Sequence, residues 1–426
     1  MGTPYSLVSS KMPQQGKKID GFDKQSNYLV SIVPPVVLAK SLFEYAQNFF
    51  KAAHLIAEYV LLAERPDIAK LDTYFFAIAF LYRHCVELGL KAIGFQGIQD
   101  KQERENFIQS TRHNLKDILD EAERKNHPIR PDAEMTWLRK FFEDISQTDK
   151  ESDSFRYPFH IVRKADAMGA SRKFDIKPVF EDQTHIDLPK FVNKFEAAFE
   201  IIEKWYRRDA GDAAEYAAHA PVFLETGGSY YEQSVVGYRY QPKAFFPYTK
   251  AYLETANYLK WYMKEQTDAG AADCKDQLFL PMCYLYRNCA ELGLKTVWFE
   301  ETREDFQDRC KTMLKKKHSI EGMWNKLKPY VAAQNQDPSE AAYLDVIEDY
   351  CKQVQQLDAD ASKFRYPMTK SLQAYFPKPK RFDFLQTGDF LEELNNILDA
   401  IDSLLNDVNE LENELETAYW NEQDYI

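Results

Sequence analysis

Residues 81–95, LYRHCVELGLKAIGF, decide the fold because they return as residues 285–299, LYRNCAELGLKTVWF. Ten of the fifteen positions are identical, among them Tyr82, Arg83, Glu87, Gly89 and Lys91. The likeness extends outward on both sides. Upstream, residues 43–59 match residues 246–262 at an offset of 203. Downstream, His113-Asn114-Leu115 matches His318-Ser319-Ile320 at 205, and Phe155-Arg156-Tyr157-Pro158 matches Phe364-Arg365-Tyr366-Pro367 at 209. The order is kept while the offset drifts, as happens when helices are retained and loops change length. The chain reads as two copies of one module.

A length of 426 residues makes two domains the natural expectation. Tyr (26) and Phe (29) are plentiful and Gly (15) is sparse, which favours helices over turn-rich sheets. The expected class is all-α: two tandem up-and-down helical bundles with small extended insertions. The boundaries fall at 1–35 for an N-terminal arm, 36–208 for the first module, 209–240 for a linker and 241–410 for the second module. An acidic tail, 411–426, continues the last helix.

Helical spacing predicts helices over about 36–64, 71–94 and 135–145, with another opening at Asn114 and its counterpart Ser319. Proline suits a first helical turn, so each Arg-Tyr-Pro is read as opening a helix. Short strands are expected near 28–33, 174–179, 234–240 and 381–385, and residues 1–27 are expected to be loose. The apolar stripe from Leu391 to Leu415 has a spacing near 3.5 residues. Its excess is expected to lie along the first module, with pairing to a second chain as the other outcome, giving a homodimer.

The net charge of -13 argues against a protein that coats nucleic acid, while leaving room for a local basic site. The six cysteines form no C-x-x-C pair and read as buried thiols, so no metal site and no cofactor is expected. The first apolar run is broken by Pro34-Pro35, and no apolar segment reaches membrane-spanning length. The cytoplasm is the expected location.

Arg83, Glu87 and Lys91 recur as Arg287, Glu291 and Lys295, four residues apart on a helix. Exposed pairs of this kind contribute only about 0.2–0.5 kcal/mol and need not be kept identical. Their identity favours a buried polar network over a ligand site, with Arg156 and Arg365 expected to reach Glu87 and Glu291. Gly89 costs roughly 1 kcal/mol in a helix, so its retention predicts a close helix crossing. His113 and His318 sit at helix starts, where a histidine either holds backbone groups or does acid–base work.

The order E-x-x-L-K, H-x-L or H-x-I, then R-Y-P, present twice, resembles the HEPN superfamily. The residues are Glu87/Leu90/Lys91, His113/Leu115 and Arg156-Tyr157-Pro158, then Glu291/Leu294/Lys295, His318/Ile320 and Arg365-Tyr366-Pro367. The resemblance implies paired bundles of four or five helices. It also implies one of two activities, prokaryotic defence or toxin ribonucleases or their non-catalytic relatives that partner nucleotidyltransferases. The nuclease branch carries R-x(4–6)-H. None of the eight histidines has an arginine at that spacing, and the nearest, Arg156 with His160, is one residue short. The leading expectation is therefore a non-catalytic binding and assembly component of a prokaryotic nucleic-acid-directed or antiphage defence pathway. Its protein partner would be a nucleotidyltransferase, ATPase or nuclease, with RNA or a nucleotide as ligand. The alternatives are a metal-independent ribonuclease with a diverged site built from Arg156, His160, Arg365, His113 and His318, and a purely structural scaffold.

Overall fold

The computed structural model describes residues 11–63, 67–165, 172–213, 215–237, 244–271, 273–334 and 338–423. The first half holds β1 (Leu29–Ile32), α1 (Leu38–Leu61), α2 (Ile68–Gly97), α3 (Lys101–Thr111), α4 (Leu115–Lys125) and α5 (Asp132–Thr148). It continues with β2 (Phe159–Ala165), β3 (Arg172–Pro178), β4 (Thr184–Asp187) and α6 (Leu188–Arg207). The second half holds β5 (Gln233–Val236), α7 (Phe246–Asp268), α8 (Asp273–Thr296), α9 (Phe306–Lys316) and α10 (Ile320–Gln334). It closes with α11 (Pro338–Leu357), β6 (Lys380–Asp383) and α12 (Phe384–Gln423). The fold is all-α, and its strands form only two-stranded antiparallel pairs among the described residues.

The repeated stretch forms the central helices α2 and α8. Every residue of α2 from Tyr74 to Phe95 is buried, as is every residue of α8 from Leu278 to Leu292. A helix buried all round belongs at the centre of a core rather than on its surface. One apolar cluster runs through both halves, with α2 packed on α7 and α1 on α8. The six cysteines are buried and unpaired. Gly89 marks a close crossing as expected. A Cβ there would lie 2.6 Å from Ile202 Cγ2 of α6. Its counterpart Gly293 is looser, facing Leu398 Cβ of α12 at 3.4 Å.

The strands exchange between halves. β1 opens the first half but pairs with β6 of the second, in the register Leu29↔Asp383 to Ile32↔Lys380. β5 opens the second half but pairs with β4 of the first, Gln233↔Asp187 to Val236↔Thr184. The two registers are equivalent, so the exchange obeys a pseudo-two-fold relation. Each aspartate then caps the closing helix of its own half. Asp187 Oδ1 accepts from the Lys190 amide, and Asp383 Oδ1 from the Leu385 and Gln386 amides.

Four expectations need correction. Residues 11–27 are bound rather than loose: Lys11 pairs with Asp389 at 2.7 Å, Lys17 with Glu393 at 2.6 Å, and Ile19 is buried. Arg-Tyr-Pro opens no helix. Pro158 leads into the β2–β3 hairpin, and Pro367 into a single bridge between Met368 and Ala374. Phe159, Ile161 and Arg163 share a face by strand alternation, and β-branched residues favour this over a helix. Helix α3, capped by Asp100 onto the Glu103 amide, was not anticipated. Finally, residues 411–420 of α12 are exposed, so the tail does not lie along the first half. Of the strand expected over 234–240, β5 covers the start, and residues 238–240 lie outside the described residues. Among the described residues no helix is long and apolar enough to cross a membrane.

Candidate functional site

Glu87 is fully buried on α2 and accepts four donors. Arg83 Nη1 reaches its Oε2 at 2.6 Å, and Lys91 Nζ its Oε1 at 2.7 Å. His113 Nδ1 lies 3.0 Å from the same Oε1. The fourth donor crosses from the other half: the Tyr366 hydroxyl, 2.9 Å from Oε1. Glu291 repeats the set with Arg287, Lys295 at 2.7 Å, His318 Nδ1 at 3.0 Å and the crossing Tyr157 hydroxyl at 2.7 Å. The expected buried network is present. The crossing group is the tyrosine of Arg-Tyr-Pro, however, and not the arginine beside it.

Electrostatics follow from this arrangement. Burial alone would raise the Glu87 carboxyl, but Lys91, His113 and Arg83 together hold it well below its ordinary value. Glu291 is held down in the same way, by Lys295, His318 and Arg287 against burial. Burial lowers Lys91 and Lys295 although their glutamates oppose it. Burial also lowers His113, with Glu87 opposing, so its imidazole is neutral near neutral pH. Burial and the partner glutamates push the Tyr157 and Tyr366 hydroxyls well up, which keeps both as donors. A histidine whose Nδ1–H faces a carboxylate presents an unprotonated Nε2.

The same network shapes the loops that carry the crossing residues. Arg83 Nε meets Asp149 Oδ2 at 2.9 Å, and Asp149 Oδ1 accepts from the amides of Asp153 and Ser154. Asp358 Oδ1 likewise accepts from Ser362 and Lys363. Ser152 and Ala361 stand at φ 61° and 60°, a left-handed conformation that is strained for a residue with a Cβ. Their carbonyls accept from Arg156 Nε at 2.7 Å and Arg365 Nε at 2.6 Å. Both arginines are thereby fixed. Arg156 is 7% exposed and Arg365 5%, and among the described residues the Nη1 of each is buried without a hydrogen-bond partner. Among the described residues neither has a carboxylate within ion-pair distance.

Both arginines line a cleft of about 770 Å³ between the halves. Lys91, Arg112 and His113 line it from the first half, and Lys317, His318 and Lys370 from the second. Glu151 and Asp360 are its acidic members. Arg112 and Lys317 occupy equivalent places, each with positive φ, 48° and 50°. Of the residues singled out from the sequence, the cleft thus gathers Arg156, Arg365, His113, His318 and Lys91. Arg83, Glu87, Arg287, Glu291 and Lys295 form the buried networks beside it. His160 stands apart: its Nδ1 lies 3.5 Å from Asp153 and it does not line the cleft. Sequence reading missed Tyr157 and Tyr366 as crossing donors, and Asp149 and Asp358 as loop anchors. The two tyrosines were visible as repeated residues. Among the described residues no group of three His, Cys, Asp or Glu side chains is placed to hold a metal ion. A cleft lined by two fixed guanidinium groups and two carboxylate-oriented imidazoles suits an anion. Comparison with protein-family models, with curated proteins and with solved structures found no match.

Proposed function

We propose that the cleft between the halves binds a phosphate-bearing ligand, a nucleotide or a segment of RNA. On this reading the chain is a tandem HEPN-like protein, a binding and assembly component of a prokaryotic nucleic-acid-directed or defence pathway. It would act with a nucleotidyltransferase, ATPase or nuclease. The observation that carries the ligand class is the pair Arg156 and Arg365, both buried and, among the described residues, both with an unpartnered Nη1 and neither within ion-pair distance of a carboxylate. Tyrosine rings beside each guanidinium help to hold its charge, and a bound oxyanion would supply the counter-charge that the rings do not. The guanidinium fork matches two phosphate oxygens. Titration of the full chain with a labelled oligoribonucleotide and with ATP tests this. Arg156→Ala and Arg365→Ala are each expected to weaken binding by roughly tenfold or more, the loss of a charge-assisted hydrogen bond. Absence of binding to either probe, or binding untouched by both substitutions, overturns it.

A second reading, metal-independent RNA cleavage, rests on His113 and His318. Each Nδ1 is held by a buried glutamate, and each ring lines the same cleft as the two arginines. Two oriented imidazoles beside fixed cations are a general acid–base set. What speaks against it is the absence of the R-x(4–6)-H spacing. Incubation of labelled RNA with the protein in EDTA distinguishes the readings. Cleavage lost in His113→Ala or His318→Ala supports the nuclease, and intact RNA that stays bound supports the binding role.

A further inference from the structure

The closing helices of the two halves are equivalent only up to a point. Asp187 corresponds to Asp383 and Ile202 to Leu398, which places Arg207, the end of α6, at Ser403. Everything in α12 from Leu404 onward has no counterpart in the first half. Yet the extension carries an apolar stripe, Leu404, Val408, Leu411, Leu415 and Ala418, at alternating spacings of four and three. That is the seam pattern of a helix that packs on one other helix. Among the described residues the stripe is largely uncovered: Val408 is half-buried, but Leu404, Leu411 and Leu415 are 44%, 57% and 63% exposed.

The extension is anchored along one edge of the stripe. Arg303 reaches Glu412 at 3.1 Å and Asn409 Oδ1 at 3.1 Å, and Asn409 Nδ2 donates to the Glu301 carbonyl at 2.9 Å. The helix is thus held at its base while the stripe stays open. Its charge is one-sided. No Lys or Arg follows Arg381, and the positions flanking the stripe include Asp407, Glu412 and Glu414. Pairing with the same helix of a second copy would set acid against acid in either orientation, which penalises self-association. The complement is an apolar seam flanked by lysine or arginine.

We infer that the projecting end of α12 is a docking surface for a basic amphipathic helix of a partner protein. This stands apart from the cleft and does not depend on what the cleft binds. The test uses the full chain and two labelled synthetic heptad peptides, both with Leu at the seam, one with Lys and one with Glu at the flanking positions. The Lys peptide is expected to bind at least roughly tenfold more tightly. The double substitution Leu411→Asp with Leu415→Asp should abolish that binding. Asp407→Lys with Glu414→Lys, which leaves the Arg303–Glu412 anchor intact, should shift the preference toward the Glu peptide. All four positions are exposed, so folding is expected to survive, and circular dichroism checks it. Equal binding of the two peptides, or binding of neither, overturns the inference. So does a full-length dimer in light scattering that the Leu411/Leu415 double variant returns to a monomer, because a second copy would then be the occupant.

Discussion

Glu87 and Glu291 accept the same four kinds of donor, yet their surroundings differ. Arg83 Nε lies 2.9 Å from Asp149, whereas Arg287 Nε lies 3.8 Å from Asp358 and has no hydrogen-bond acceptor. The glycine crossing is tight at Gly89 and ordinary at Gly293. His84 Nε2 lies 3.2 Å from the Arg365 carbonyl, across the halves, while its counterpart Asn288 accepts from Tyr284 within its own helix. The hairpin after Pro158 is reduced to one bridge after Pro367. The two copies have kept what touches the buried carboxylates and let the steric and peripheral contacts drift. A buried charge tolerates no missing partner, whereas a packing contact can be traded for another of similar volume.

The largest expected effect breaks the shared part. Glu87→Ala leaves Lys91 a buried cation without its acceptor and removes one of the two carboxylates on Arg83, and should destabilise by roughly 3–5 kcal/mol. Glu291→Ala should do the same, both read by urea denaturation. The linked pH effect has a defined sign. Both carboxyls are held below their unfolded value of about 4.3, so their contribution is full above that pH. It is lost as pH falls through the depressed folded values, and Glu87→Gln should flatten this acid limb.

The next effect sharpens the difference between the copies. Gly89→Ala drives a methyl against Ile202 and should cost about 1–3 kcal/mol by overpacking. Gly293→Ala meets only ordinary contact and gains helix propensity, so it should be neutral or stabilising by up to about 1 kcal/mol. Thermal melts of the two variants compare them directly. Smallest are Tyr157→Phe and Tyr366→Phe, each removing one of four donors to a carboxylate. About 0.5–1.5 kcal/mol is expected for each, nearly equal between the halves. A marked inequality in melting would show that one half carries the interface.

The repeat, the central helix, the glycine crossing and the buried Arg-Glu-Lys network were legible because each depends on local spacing. The bend after Arg-Tyr-Pro was not: proline fits a helix start and a strand start equally, and the alternation of residues 159–165 had to decide. Helix α3 carried a readable signal, Asp100 followed three residues later by Glu103, but few apolar residues behind it. Nothing local distinguishes Arg156 from Tyr157 as the residue that crosses. That depends on Ser152 turning the chain so that the arginine is held by its own loop. The strand exchange was least legible of all, since four-residue strands name no partner.

That exchange sets a timetable for synthesis. The edge of β1 is made early, but its partner Lys380–Asp383 lies about 350 residues further on. At roughly 5–20 residues per second, translation leaves that edge unpaired for on the order of 20–70 s. Glu87 waits almost as long for the Tyr366 hydroxyl. The first half must therefore persist on the ribosome with an open strand edge and an incomplete charge cluster. Completion comes only once Tyr366 and Lys380–Asp383 have emerged, so closure of the cleft waits on synthesis of most of the second half.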